Sequence, residues 1–158
     1  MTLDELEQIL AAFEEEEVEY VVIGGAAVNA HGLIRATEDI DVMIRPTAEN
    51  VDRLRRSLRS IWDDPSIDEI RAEELAGEYP ALRYVPPEGE LYLDIVARFG
   101  DAFGFDDIES QRMELGRVAM TVATPLALYR MKKDTVREVD RADASALRRR
   151  FDIDDPED

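Results

Sequence analysis

The chain has 158 residues, and its 37 acidic and 19 basic side chains give a net charge of −18 at neutral pH. Such a charge argues against a broad nucleic-acid-binding surface, which is normally basic, although a local basic site is still compatible with it. The absence of cysteine excludes disulfides, thiol nucleophiles and cysteine-ligated metal sites, and the apolar fraction of 45% is that of a folded protein.

The length suits one domain with one core. We expect this domain over residues 1–151, followed by an acidic, frayed tail over residues 152–158. No apolar run approaches the roughly 20 residues of a membrane span, and the acidic N-terminus is unlike a signal peptide. We therefore expect a cytoplasmic protein without a membrane partner.

The first half of the chain predicts two helices and two strands around a glycine pair. Residues 3–16 have the apolar spacing of an amphipathic helix, with one stripe formed by Leu3, Leu6, Ile9, Leu10 and Phe13. Residues 18–23 read as a buried strand that ends at Gly24–Gly25, where AAVNAH starts a short helix. Residues 39–44 form the next predicted strand.

The second half continues with alternating helices and strands. Pro46 and Thr47 are typical of a helix start and predict a helix over 47–62. A short helix over 66–77 and strands over 81–85 and 91–99 follow. The remaining predicted elements are a loop to 110, a hairpin or irregular strand pair over 112–122, and helices over 125–137 and 140–151. This order predicts an α+β fold in which helices pack on a small, mostly antiparallel or mixed sheet and the C-terminal segment is helical.

Three aspartates lie in the predicted strands. Because strand side chains alternate between faces, Asp39 and Asp41 share one face while Ile40 and Val42 share the other. An isolated pair of this kind is usually a solvated edge, but Asp94 lies among apolar residues of LYLDIVA, where a lone charge is costly to bury. Three neighbouring carboxylates repel one another unless a cation joins them, and oxygen-only ligation suits Mg²⁺ or Mn²⁺.

Gly24 and Gly25 add a second feature to this region. Glycine allows backbone N–H groups to approach an anion closely, and a helix that starts there favours negative charge. The pair therefore predicts a phosphate cradle beside the metal site.

This combination resembles the nucleotidyltransferases of the polymerase-β-like superfamily, and within it the small prokaryotic group related to the abortive-infection type IV (AbiEii-like) toxins. That group often contains G-G-x-A and then R-x-T-x-D-I-D, and the chain has GGAA at 24–27 and RATEDID at 35–41. The resemblance runs from about residue 18 to residue 147. It places the third metal carboxylate on Asp94, and the C-terminal lysine, arginine and spaced aspartates of the family on Lys132, Arg137, Asp140 and Asp143.

The resemblance implies a metal-dependent enzyme that transfers NMP from an NTP, such as ATP, to an acceptor hydroxyl. Asp39, Asp41 and Asp94 would be catalytic metal ligands, with Asp94 also able to take the hydroxyl proton, and Lys132 or Arg35 would balance the charge of the leaving pyrophosphate. The nucleotide would contact Gly24, Gly25, Arg35, Thr37, Arg137 and Asp140. The acceptor would be tRNA, a protein or a small molecule, and the protein would be a toxin with an antitoxin or another partner subunit.

Several alternatives remain open for single residues. Arg35 pairs with Asp39 or Asp41, or binds phosphate, and Thr37 caps a turn or contacts the nucleotide. Asp140 either caps the last helix or positions Lys132 or the nucleotide. His31, the only histidine, is typical of a helix C-terminus rather than of a catalyst. For an RNA acceptor, the arginines to consider are Arg53, Arg55, Arg56, Arg59 and Arg148–Arg150.

Two other functions share these residues. A protein of the same fold without catalysis would bind nucleotides or serve as a regulatory or partner subunit, and its biological activity would survive mutation of the acids. A metal-dependent phosphohydrolase would use the same carboxylates, but it would release free phosphate and has no evident need for the Gly-Gly turn.

Overall fold

The computed structural model describes residues 2–33, 39–101 and 103–155. Its helices are α1 (Leu3–Glu15), α2 (Gly24–Ala30), α3 (Ala48–Arg59), α4 (Ala72–Ala76), α5 (Pro125–Lys132) and α6 (Glu138–Phe151). Its strands are β1 (Tyr20–Ile23), β2 (Asp39–Ile44), β3 (Ala81–Tyr84), β4 (Tyr92–Val96), β5 (Arg98–Phe99), β6 (Phe103–Gly104), β7 (Ser110–Leu115) and β8 (Val118–Ala123). Short 3₁₀ helices cover Pro65–Glu69 and Phe105–Asp107.

The main sheet has six strands in the order β3-β4-β2-β1-β8-β7, and β5 and β6 form a separate two-stranded ribbon. β2 runs parallel to β4 and antiparallel to β1, whereas β8 is parallel to β1 and antiparallel to β7. The predicted α+β class with a mixed sheet and a helical C-terminal segment is therefore confirmed.

Local sequence signals set the ends of the main helices. Thr2 and Glu5 form a capping box at the start of α1, and Thr47 and Thr124 cap α3 and α5. The predicted stripe of α1 is buried from Leu6 onward, while Leu3 is exposed. In the part of the chain that the structure describes, no helix has both the length and the apolar character that crossing a membrane requires.

A buried asparagine fixes the strands that precede and carry the first two acids. The side chain of Asn50 accepts a hydrogen bond from the Glu19 amide at 2.7 Å and donates to the carbonyls of Glu19 and Arg45 at 2.9 and 2.8 Å. Because Glu19 precedes β1 and Arg45 follows β2, Asn50 joins the start of one strand to the end of the next.

Several predicted elements differ from the structure, among them the strand over 91–99, which is divided into β4 and β5. The helix expected over 125–137 ends at Lys132, because Arg137 is extended and precedes α6, so Asp140 is the third residue of α6 and not its N-cap. The helix expected over 66–77 is interrupted at Ile70 and Arg71, which are extended. The loop expected before residue 110 contains the β5–β6 ribbon and a 3₁₀ helix.

The first residues after α6 pack against α5. The Ile153 amide donates to the Arg148 carbonyl, and the buried Asp155 carboxylate accepts hydrogen bonds from Tyr129 Oη at 2.8 Å and Lys133 Nζ at 2.9 Å. This segment therefore contributes to the packing of the C-terminal helices.

Candidate active site

Two parallel strands carry the three aspartates to one place. Asp39 and Asp41 alternate with the fully buried Ile40 and Val42 along β2, so both acids project from the opposite face. β4 pairs with β2 in a register that sets Asp94 beside Asp41. The strand alternation therefore predicts the shared face correctly, and the register brings in the third carboxylate.

The carboxylates form a compact oxygen cluster. One oxygen from each of Asp39, Asp41 and Asp94 lies within 4.8 Å of the others, and among the described residues this is the one group of three side chains that could hold a metal ion. Carboxylate oxygens alone are the ligand set that Mg²⁺ and Mn²⁺ prefer. The residues present therefore fit a hard divalent cation.

The cluster has too little positive charge nearby to offset its three carboxylates. Burial, followed by the charges of Asp39 and Asp94, raises the pKa of Asp41 to about 7. Burial, followed by the hydrogen bond and charge of Asp94, also raises the pKa of Asp39. Burial opposes ionisation of Asp94 as well, but the hydrogen bonds from Arg83 hold its pKa below the usual value.

The Gly-Gly pair borders the same cleft as the acids. Gly24 and Gly25 begin α2 directly after β1, and β1 pairs with β2 so that Ile23 lies opposite Asp41. Gly24 has a φ of 69°, a conformation that residues with a β-carbon rarely adopt. The bend therefore lies next to the carboxylate cluster, as the sequence analysis expects of a phosphate cradle.

Lys132 reaches the cleft from the last turn of α5. Its ammonium donates to Asp140 Oδ1 at 3.1 Å and to Asp143 Oδ2 at 3.0 Å, and all three side chains are buried. Burial opposes ionisation of Asp140, but the hydrogen bond and charge of Lys132 hold its pKa below the usual value. An ammonium has three protons, so these two contacts leave one for a group in the cleft.

Arg137 lies at the outer rim of this cluster. Its Nε is 3.9 Å from Asp140 Oδ2, and its side chain is 69% exposed. The structure thus brings eight of the ten residues named from the sequence to one cleft: Gly24, Gly25, Asp39, Asp41, Asp94, Lys132, Arg137 and Asp140. The other two, Arg35 and Thr37, lie outside the described residues.

Arg83 is a cleft residue that the sequence analysis did not single out. It lies on the edge strand β3 opposite Asp94 and contacts the carboxylates of both Asp94 and Asp39. No short motif marks it, since an arginine in ALRYV is an ordinary edge-strand residue. Its relation to Asp94 follows only from the pairing of β3 with β4.

The other residues considered from the sequence have structural contacts. His31 is buried, with Nε2 2.8 Å from the Ala123 carbonyl oxygen. Arg56 pairs with Glu16 and Asp52, and Arg59 pairs with Asp68. These arginines on α3 are therefore partly neutralised by neighbouring acids.

Comparison with known proteins identifies the class of enzyme. The family model described as "Nucleotidyl transferase AbiEii toxin, Type IV TA system" matches residues 8–115, about two thirds of the chain. The chain is a nucleotidyltransferase and belongs to this AbiEii family. A search of curated proteins finds no match.

The LnuA structure shares this fold. The lincomycin-bound crystal structure of the lincosamide antibiotic adenylyltransferase LnuA has a TM-score of 0.61 and 19% identity, covering 94% of this chain and 97% of that one. The crystal structure of ANT(2")-Ia in complex with adenylyl-2"-tobramycin has a TM-score of 0.47 and 16% identity, covering 94% and 98%.

Proposed function

We propose that this protein transfers a nucleoside monophosphate from an NTP to an acceptor hydroxyl in a reaction that depends on Mg²⁺ or Mn²⁺. The observation that carries the proposal is the meeting of three strand carboxylates, a glycine bend and a buried lysine in one cleft. In the transfer, the acceptor oxygen forms a bond to the α-phosphorus of the NTP. The bond between the α-phosphorus and the oxygen that bridges the α- and β-phosphates breaks, and pyrophosphate leaves.

The carboxylates have the role of metal ligands in this proposal. Asp39, Asp41 and Asp94 would hold the divalent cations, which when bound neutralise phosphate charge and acidify the acceptor hydroxyl. Asp94 also accepts the hydroxyl proton, either directly or through water. The raised pKa values of Asp39 and Asp41 support this role, because a cluster that resists ionisation is stabilised by added positive charge.

The remaining residues bind the triphosphate. Gly24 and Gly25 allow the backbone to approach the phosphates closely. The ammonium of Lys132 donates its third hydrogen bond to the leaving pyrophosphate and stabilises the negative charge there. Asp140 and Asp143 keep the lysine side chain in position, while Arg137 at the rim, together with Arg35 and Thr37, contacts the nucleotide. An NTP such as ATP is the donor.

For the acceptor we propose a tRNA, a protein or a hydroxyl-bearing small molecule. The family supports a toxin role with an antitoxin as partner. A net charge of −18 disfavours extensive contact with RNA, so a tRNA would be held locally, at its end, or with the help of a partner.

The test is a labelling experiment. The protein is incubated with each α-³²P-labelled NTP, Mg²⁺ and a total cell extract, and the products are separated into labelled macromolecules, labelled small molecules and pyrophosphate. We expect one labelled acceptor and stoichiometric pyrophosphate. Release of free phosphate without a labelled acceptor would instead identify a phosphohydrolase.

Two double variants test whether labelling depends on the carboxylate cluster or on acidic residues in general. Asp39→Ala/Asp41→Ala is expected to abolish labelling. Asp63→Ala/Asp68→Ala removes two exposed acids after α3 and is expected to label as the wild type does. Labelling that persists in the first variant contradicts the assigned site.

A further inference from the structure

Arg83 occupies the position of a counterion in the carboxylate cluster. Its Nε donates to Asp94 Oδ1 at 2.8 Å and its Nη2 to Asp94 Oδ2 at 3.1 Å, so the guanidinium contacts both oxygens of that carboxylate. The same Nη2 donates to Asp39 Oδ2 at 3.3 Å. Arg83 therefore joins acids from two different strands with its single positive charge.

This contact competes with metal ligation. A bidentate guanidinium takes up lone pairs of both Asp94 oxygens, and a cation brought to the same carboxylate is repelled by the charge of the arginine. Arg83 and a divalent cation therefore weaken each other's contact with Asp94, although the carboxylate has lone pairs for both.

The side chain of Arg83 is well placed to leave Asp94 without losing all its support. It is 53% exposed, and its guanidinium carbon lies 5.1 Å from the centre of the Tyr92 ring. Stacking on an aromatic ring and a planar fork that matches phosphate oxygens are both properties of arginine. Arg83 also borders the cleft that Gly24 and Lys132 line.

We propose that Arg83 is a positioning residue that holds Asp94 and Asp39 together in the metal-free protein and moves to a phosphate oxygen of the substrate when divalent cations bind. The proposal rests on the function proposed above, because it assigns the phosphate to a nucleoside triphosphate. Arg83 thereby lowers the affinity for metal alone and raises the affinity for the metal–triphosphate pair, so that metal binding favours the substrate-bound site.

A purely structural role for Arg83 and a role as a competing counterion predict opposite effects of its loss on metal binding. If Arg83 only tied β3 to β4, its loss would loosen the cluster and weaken metal binding. If it is a competing counterion, its loss removes a competitor and strengthens metal binding. The sign of the change in metal affinity therefore separates the two roles.

The experiment compares Arg83→Gln with Arg45→Gln, a variant that removes one positive charge from an arginine paired with Glu19 and Asp106. Mn²⁺ binding is measured at low ionic strength from the electron paramagnetic resonance signal of free Mn²⁺, with Asp39→Ala/Asp41→Ala as the baseline for binding elsewhere. We expect Arg83→Gln to bind Mn²⁺ roughly three- to tenfold more tightly than Arg45→Gln. Equal or weaker binding overturns the counterion role.

The second arm uses inorganic tripolyphosphate, which has the phosphate chain of an NTP but no base. Calorimetry with the preformed Mn²⁺ complex is expected to show about tenfold weaker binding to Arg83→Gln than to Arg45→Gln. Equal affinities overturn the exchange to phosphate. Neither arm requires turnover, so an absence of transfer in the wild type would refute the proposed function while these two results still decide the role of Arg83.

Discussion

Gly24 lies directly against the carboxylate of Asp41. A β-carbon at position 24 would lie 2.1 Å from Asp41 Oδ2 and 2.8 Å from Asp41 Cγ, well inside contact distance. Because β1 and β2 pair with Ile23 opposite Asp41, the end of one strand and the acid on the next are fixed relative to each other. The glycine bend and the carboxylate cluster are therefore one structural unit.

Gly24→Ala is expected to displace the Asp41 carboxylate and to abolish detectable transfer. The positive φ of 69° adds backbone strain of roughly 1–2 kcal/mol to the clash. The free energy of unfolding, measured with urea, should therefore fall by more than the strain alone, and Mn²⁺ binding should weaken because one ligand has moved.

Gly100→Ala is the matched control for this prediction. Gly100 also has a positive φ, 61°, but a β-carbon there meets no atom within 4 Å. This variant should show the strain without the clash, and its Mn²⁺ affinity should equal that of the wild type. Gly24→Ala with wild-type metal affinity would contradict the close packing against Asp41.

The parts of the site that the sequence predicts are those with a short-range pattern. Alternation along β2 puts Asp39 and Asp41 on one face, and the glycine pair marks the bend where β1 ends. The proximity of Asp94 needs a further fact, the parallel pairing of β4 with β2, which local sequence does not determine. The family resemblance placed the third metal carboxylate on Asp94, and the strand pairing itself comes from the structure.

Asp41→Asn is expected to stabilise the metal-free protein, increasingly so as the pH rises. The pKa of Asp41 is raised from 3.8 to about 7 in the folded state, so the folded protein holds this proton more tightly than the unfolded chain does. The stability that this contributes is complete below about pH 4 and is lost as the pH rises through about 7. At pH 8 in EDTA, the variant should melt a few degrees above the wild type, since about 1 kcal/mol shifts the Tm by roughly 2–4 °C in a chain of this size.

The melting curves are compared from pH 5 to pH 8 with Asp63→Asn as a control, because Asp63 is an exposed acid outside the cluster. The difference in melting temperature between Asp41→Asn and the wild type should grow with pH. The corresponding difference between Asp63→Asn and the wild type should stay constant. In saturating Mg²⁺ the wild type should melt above Asp41→Asn, because the variant has lost one of the three metal ligands. A melting-temperature difference for Asp41→Asn that does not change with pH would contradict the raised pKa of Asp41.

Lys132→Met is expected to destabilise the protein by about 3 kcal/mol or more, because it leaves the carboxylates of Asp140 and Asp143 buried without their shared cation. The triple variant Lys132→Met/Asp140→Asn/Asp143→Asn should recover most of this loss in urea unfolding. It should not recover transfer, because the ammonium that we propose contacts the triphosphate is still missing.

Lys133→Met is the neighbouring control. Lys133 pairs with Asp155, which also accepts a hydrogen bond from Tyr129, so the loss of stability should be smaller and transfer should persist. If the triple variant regains transfer, Lys132 acts only through the fold.

The features that the sequence does not predict depend on contacts between distant segments. Arg83 becomes notable only when β3 lies beside β4, and nothing in ALRYV distinguishes it from a solvated arginine. The role of Asp140 also required the structure, since its suitability as a helix cap competes with its ion pair to Lys132. Because Arg137 is extended, α6 begins at Glu138, two residues before Asp140, so Asp140 is not the helix cap and its side chain pairs with Lys132.

A crystal structure with Mn²⁺ and an α,β-methylene analogue of the NTP that the labelling experiment identifies would locate the metal ions and the triphosphate. We expect anomalous manganese peaks within bonding distance of Asp39, Asp41 and Asp94, with the triphosphate against Gly24 and Gly25. Manganese bound elsewhere, or phosphates bound away from that bend, would contradict the proposed site.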